Sequence, residues 1–161
     1  SRICCMASLK QTTYVSEMED GKSTIYYIDI RAIDRFEDFY KKVQADEKVT
    51  FIKSKPASIT QDKDANPVIN GVNTEGYHRY ATPHDLVVLA VGMEPSIKGA
   101  MPEGIEITVN EHGFIENGAN GGIFAAGCAS DALDVNRAVQ SATATALKAI
   151  QVINRVAGSE G

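Results

Sequence analysis

The sequence lacks the features that commit a chain to a membrane, an oxidising compartment or a nucleic acid. No apolar run reaches the roughly 18 residues a spanning helix needs. The longest, Leu86 to Val91, has the length and composition of a buried strand. No signal-peptide pattern is present. Three cysteines, an odd number, make no disulfide framework and point to a reducing cytoplasm. A formal net charge of -5 with no basic cluster excludes a nucleic-acid surface. There is no Cys-x-x-Cys pair, and His78, His84 and His112 have no Cys, Asp or Glu at ligand spacing, so they read as surface residues. Ser130 and Ser141 lack the flanking glycines of a nucleophile elbow. No G-x-G-x-x-G follows a strand, and no internal repeat or low-complexity segment occurs.

What is present suits a soluble α/β protein of one domain or slightly more, with 43% hydrophobic and 23% charged residues. Residues Arg2 to Met18 contain neither Gly nor Pro and predict a helix that Gly21 closes. Thr24 to Ile30, TIYYIDI, is β-branched and aromatic, as for a strand buried on both faces. Asp34 caps a second helix with Glu37 as its capping-box partner, and Phe36, Phe39, Tyr40 and Val43 share one face. Val49 to Ile52 is a further strand, and this order predicts a parallel sheet. Segments 56–61, 67–72 and 76–82, split by turn-rich Asp62–Asn66 and Asn73–Gly76, predict a three-stranded antiparallel meander. Asp85 to Val91 reads as a buried parallel strand ended by Gly92. Ile105–Val109 and Gly113–Ile115 read as a small hairpin around Asn110. A last helix spans about Val135 to Val156, with Val135, Val139, Ala142, Ala146, Ile150 and Ile153 as its apolar stripe.

The stretch Gly121 to Leu147 carries the chemistry most directly. A short apolar strand, Ile123 to Ala126, meets a glycine turn, a polar loop and then a helix, where backbone N–H groups and a helix dipole can meet an anionic cofactor. Gly127, Cys128 and Ala129 form the turn. Taken alone, Cys128 reads as a small buried cysteine packed against the helix. Cys4 and Cys5, adjacent in sequence, read alone as two partly buried thiols near the chain start. Two apolar strands that each end in glycine, LVVLAVG and GIFAAG, lie about thirty residues apart.

DLVVLAVGMEPS resembles the motif that closes the second nucleotide domain of the thioredoxin-reductase-like disulfide oxidoreductases, and GGIFAAGCA resembles their second flavin motif. SRICCMASLKQTTYV, YYIDIRA and GIFAAGCA together resemble the heterodisulfide reductase A-type flavoproteins. They look closest to a relative of these, the flavin subunit of the quinone-interacting membrane-bound oxidoreductase complex associated with adenylylsulfate reductase. The resemblance implies an α/β fragment of a two-dinucleotide-fold flavoprotein. Residues 1–96 would be the end of a nicotinamide-type domain and 97–161 the end of the FAD-binding domain. It places Gly92, Gly127, Cys128, Ala129, Val139 and Gln140 at the flavin, with Cys128 where an aspartate usually holds the ribitol. A thiol there forfeits a charge-assisted bond worth roughly 1.5–3 kcal/mol. It also implies that Cys4 and Cys5 belong to a Cys-Ser-Arg-x-Cys-Cys run that ligates a [4Fe-4S] cluster, whose leading cysteine would precede Ser1.

Ser1 opens the sequence in mid-motif, which suggests a piece of a longer protein whose dinucleotide fingerprints lie upstream. The parent is then expected to be an FAD-dependent electron-transfer oxidoreductase. It would be cytoplasmic and peripheral to a membrane complex, working with iron–sulfur and quinone-linked subunits in sulfur metabolism or disulfide reduction. The isolated piece is expected to carry no cofactor and no activity. The alternative is a subunit-docking or structural module. The last helix, deprived of its sheet, is expected to fold back or to swap into a homodimer.

Overall fold

Helix α1 spans Arg2–Ser16, a run without helix breakers. In the computed structural model, residues 2–33, 35–99, 101–117 and 122–159 are described. The chain forms two compact units, Ser1–Gly92 and Met93–Gly161.

In the first unit, α1 leads into strand β1 (Ser23–Tyr27), helix α2 (Phe36–Gln44) and strand β2 (Val49–Lys53). β1 and β2 pair in parallel, with Ser23 opposite Val49 and Tyr27 opposite Lys53. Leu9 of α1, Val43 of α2 and Val49 of β2 form the buried centre, with Met6, Ile25, Phe39, Tyr40 and Phe51 packed around it. Tyr40 and Tyr27 each meet Phe51 edge-on. The predicted helical face of α2 is therefore real at Phe39, Tyr40 and Val43, whereas Phe36 is exposed. Asp34, the expected cap, lies outside the described residues; Arg35 precedes the helix and makes no side-chain capping bond. The Lys48 ammonium donates to the carbonyls of Ser16, Met18 and Glu19 at 3.0, 2.7 and 3.2 Å. It thereby satisfies backbone acceptors at and just beyond the C-terminus of α1, where a cation is favoured.

The meander consists of β3 (Ser58–Gln61), β4 (Pro67–Val72) and β5 (Arg79–Pro83), antiparallel in that order. Its turns obey the local chemistry read from the sequence. The Asp62 carboxylate accepts the N–H groups of Asp64 and Asn66, and Asn73 Oδ1 accepts those of Glu75 and Gly76. The Asn66 N–H is the main reason the Asp62 carboxyl titrates below its ordinary range. Gly71 pairs with Tyr80 across the sheet. A side chain at Gly71 would run into the Tyr80 hydroxyl, so the glycine is what lets that ring cross the strand.

Four expected strands do not form ladders among the described residues. Residues 85–91 join no ladder and end in a tight turn in which the Val91 N–H donates to the Leu89 carbonyl at 3.0 Å, with Leu86 78% and Val91 88% exposed. An apolar run becomes a strand only beside a partner edge, and no described strand lies against it. Ile123 to Ala126 is likewise outside any sheet, and Gly121 before it lies outside the described residues. The hairpin around Asn110 contracts to one bridge, Val109 to Ile115. It is held by the Asn110 side chain, which accepts the N–H groups of His112 and Phe114. Helix α3 spans Val135–Ser159, slightly beyond its expected end. Its apolar stripe is not buried: Val139 is 61% exposed, and Val135, Ile150 and Ile153 are also exposed.

Candidate functional site

The second unit builds its turn from a glycine that takes a left-handed conformation. Gly127 has φ +59°, which a side chain would strain, and it follows extended Ala126. Gly127, Cys128 and Ala129 make one 3₁₀ turn. The Gly127 N–H donates to Ser141 Oγ at 3.1 Å. Ala129 N–H donates to the Ala126 carbonyl, and the Ser130 hydroxyl to the Gly127 carbonyl. Asp134, which sequence reasoning passed over, caps α3: its Oδ1 accepts the Arg137 N–H at 2.9 Å. The extended segment before the turn is held by side chains in place of a ladder. Asn117 Oδ1 accepts the Ala125 N–H at 2.7 Å, and the Thr145 hydroxyl donates to the Ala125 carbonyl at 3.1 Å.

Among the predicted cofactor residues, Gly127, Cys128 and Ala129 therefore lie together in the turn. Val139 and Gln140 lie on α3, both exposed, with the Gln140 amide 3.5 Å from Asn136 Oδ1. Cys128 is exposed, unlike the buried cysteine expected of it alone, and its thiol lies 3.5 Å from the Leu133 carbonyl. Gly92 closes the first unit, with φ +139° and open space where a Cβ would stand. Gly127 has a positive φ, and Cys128, Ala129, Val139 and Gln140 are exposed, so the turn and the start of α3 are open to a ligand.

The first unit holds a cleft of about 330 Å³ beyond the carboxyl ends of β1 and β2. Cys4, Cys5 and Ser8 of α1 line it together with residues 25–30, Ser54, Lys55, Pro56 and Ala90. Cys4 and Cys5 are half-buried there. A cubane cluster takes four thiolates. The chain has three cysteines, so it cannot by itself supply the four thiolates, and among the described residues no group of three or more His, Cys, Asp or Glu side chains could hold a metal ion.

A polar and aromatic seam lies beside this cleft. Buried Ser54 exchanges a hydrogen bond with the Tyr80 hydroxyl at 2.7 Å. Tyr80 stacks on Tyr26 with ring centroids 5.4 Å apart, and the Tyr26 hydroxyl lies 2.9 Å from His84 Nε2. Burial, opposed by a hydrogen bond from Thr82, pushes the Tyr26 phenol up from its usual range. His84 is thus half-buried and bonded, a correction to its reading as a surface residue; His78 and His112 are exposed as expected. A partner 58 positions away in sequence left no local signal at His84.

No protein-family profile matches the chain. It is similar to the A subunit of the ferredoxin:CoB-CoM heterodisulfide reductase of Methanosarcina mazei, 36% identical over 95% of this chain and 21% of that protein. It is also similar to the A subunit of the H2:CoB-CoM heterodisulfide,ferredoxin reductase of Methanothermobacter thermautotrophicus, 30% identical over 92% of this chain and 24% of that one. The chain thus spans about a fifth to a quarter of the length of these relatives. Lactococcus lactis thioredoxin reductase superposes with a TM-score of 0.67 at 21% identity, over 92% of this chain and 50% of that one. The α/β architecture of the two-dinucleotide-fold class expected from the sequence is the one observed. Among the described residues no helix is long and apolar enough to cross a membrane. The homologues of this chain are heterodisulfide reductase A subunits, and its fold resembles the matching half of thioredoxin reductase.

Proposed function

We propose that this chain is part of an FAD-dependent electron-transfer protein of the heterodisulfide reductase A type. The observation that carries the reading is 36% identity over 95% of the chain to such a protein. Bound FAD would supply the redox chemistry, accepting electrons from one partner and releasing them to another. The chain's own part is positional. The Gly127–Ala129 turn would offer its backbone to the cofactor, and Val139 and Gln140 at the start of α3 would help to hold it. Cys128 replaces an acid there, which removes a charge from the site, and Gly92 ends the stretch that leads from one nucleotide domain to the other. Residues 1–96 belong in this reading to the nicotinamide-type domain and 97–161 to the flavin domain. Cys4 and Cys5 offer two thiolates toward a cluster whose other ligands lie elsewhere in the longer protein. The finer placement is in a cytoplasmic, membrane-peripheral complex with iron–sulfur and quinone-linked subunits, like the adenylylsulfate-reductase-associated complex whose flavin subunit the sequence resembles.

A visible absorption spectrum with flavin titration tests this. The full-length protein carrying this stretch is expected to be yellow or brown with stoichiometric FAD, whereas the 161-residue chain alone is expected to be colourless and silent. A colourless full-length protein overturns the flavin reading, and stoichiometric flavin on the isolated chain overturns the half-site. The exposed stripe of α3 favours one second reading, a docking module without a cofactor. A colourless full-length protein that still captures its partner subunits selects it.

A further inference from the structure

We infer that Lys48 is the positioning residue for the Cys4–Cys5 thiol pair. Its ammonium holds the far end of α1 and so sets how deep the two thiols stand in the cleft. The inference deepens the proposed function and rests on its reading of that pair as ligands.

Lys48 belongs to the sheet through its backbone and to the helix through its side chain. Its N–H donates to Asp46 Oδ1 at 2.9 Å, and its carbonyl accepts the Ser23 N–H at 2.9 Å. It thus stands at the edge where the parallel pair begins, beside buried Val49. From there the ammonium reaches the carbonyls of Ser16, Met18 and Glu19. The acceptors are fixed in their turn. The Met18 N–H donates to the Val15 carbonyl at 3.0 Å, and the Gly21 N–H to the Met18 carbonyl at 3.3 Å. Hydrogen bonds from an ionised donor are the stronger and shorter kind, so the tie is firm.

The other end of α1 is where the thiols are. Cys4, Cys5, Ser8 and Leu9 line the cleft beyond the carboxyl ends of the strands, so the helix runs opposite to the strands. Met6 and Leu9 press α1 onto the core. Apolar contact has no direction of its own and resists lifting of the helix more than sliding. The bonds from Lys48 supply the lengthwise stop. Helix α1 contains neither Gly nor Pro and so has no ready place to kink. A shift at Ser16 is therefore carried along roughly 16 Å of helix to Cys5.

Iodoacetamide alkylation of the native 161-residue chain, mapped by peptide mass, tests this, with exposed Cys128 of the second unit as internal reference. Lys48→Met keeps the stem and drops the three donors. It is expected to change the rates at Cys4 and Cys5, relative to Cys128, by at least about three-fold. Lys48→Arg, which keeps a cation and donors, should change them less. Asn73→Ala loosens a meander turn and should leave the ratios as they are. Wild-type ratios in Lys48→Met overturn the proposal, and so does an equal change in Asn73→Ala, which would mark general loosening. Should Lys48→Met not fold, Lys48→Gln is read in its place against the same outcomes. The thiols are read with no cluster bound, so wild-type ratios sink the positioning role alone. A full-length protein that keeps its iron after Cys4→Ser with Cys5→Ser sinks the ligand reading alone.

Discussion

The two units differ in what their apolar residues touch. In the first, Leu9, Val43 and Val49 close on one another from three elements, and aromatic rings fill the space around them. In the second, a 25-residue helix displays Val135, Val139, Ile150 and Ile153 to solvent. Both show helical periodicity of apolar residues. The contrast teaches that a sequence stripe records the surface a helix was selected to meet, while burial records the surface it has met.

The sharpest way to break this comparison is a pair of truncations. Leu9→Ala is expected to destabilise the first unit by about 2–5 kcal/mol, because the site is fully buried. Val139→Ala on α3 should change stability by no more than about 0.5 kcal/mol. Urea titrations followed by circular dichroism measure both, and equal losses would erase the distinction. Next in size, Gly71→Ala forces the Tyr80 ring off its strand and off Ser54, at about 1–3 kcal/mol. The same titration, with tyrosine fluorescence as a local reporter, checks it. Asp134→Ala removes the cap of α3 and should cost that helix about 0.5–2 kcal/mol. Amide exchange in the first turn of α3 should rise while the first unit keeps its protection.

The smallest effect is acid sensitivity. Asp46 is held below its ordinary range first by the Lys48 N–H, and Asp62 by that of Asn66. Their folded values lie below the unfolded one, so the stabilisation is present above about pH 4 and fades as pH falls through the folded values. Both carboxylates sit in the first unit. An acid titration should therefore loosen that unit first, and Asp46→Asn with Asp62→Asn should flatten the slope.

Much of this was legible in the sequence because it is decided locally. The helices follow from stretches free of breakers, and the meander follows from Asp62 and Asn73, whose side chains make their turns without outside help. The parallel pair follows from the helix between its two strands. The glycine turn was legible too, since the left-handed position at Gly127 favours that residue. What failed depended on distant partners. LVVLAV has strand composition, but composition does not supply an edge to pair with. His84 meets Tyr26 from the other sheet, and Cys128 is exposed although α3 holds the same turn through Ser141. Asp134 was a local signal that went unread, three positions before the N–H it binds.

One bond in the glycine turn sets the terms on which anything can bind there. The Gly127 N–H already has an acceptor in Ser141 Oγ, so a ligand oxygen that reaches it displaces a hydroxyl from inside the protein rather than a water. The gain is then the difference between two hydrogen bonds, and it is small unless the released hydroxyl finds a new partner. Ser130 Oγ stands 3.5 Å from Ser141 Oγ. The Ser130 hydroxyl proton already goes to the Gly127 carbonyl at 2.8 Å, so the turn favours a ligand that brings a donor for Ser141 Oγ together with an acceptor for the glycine.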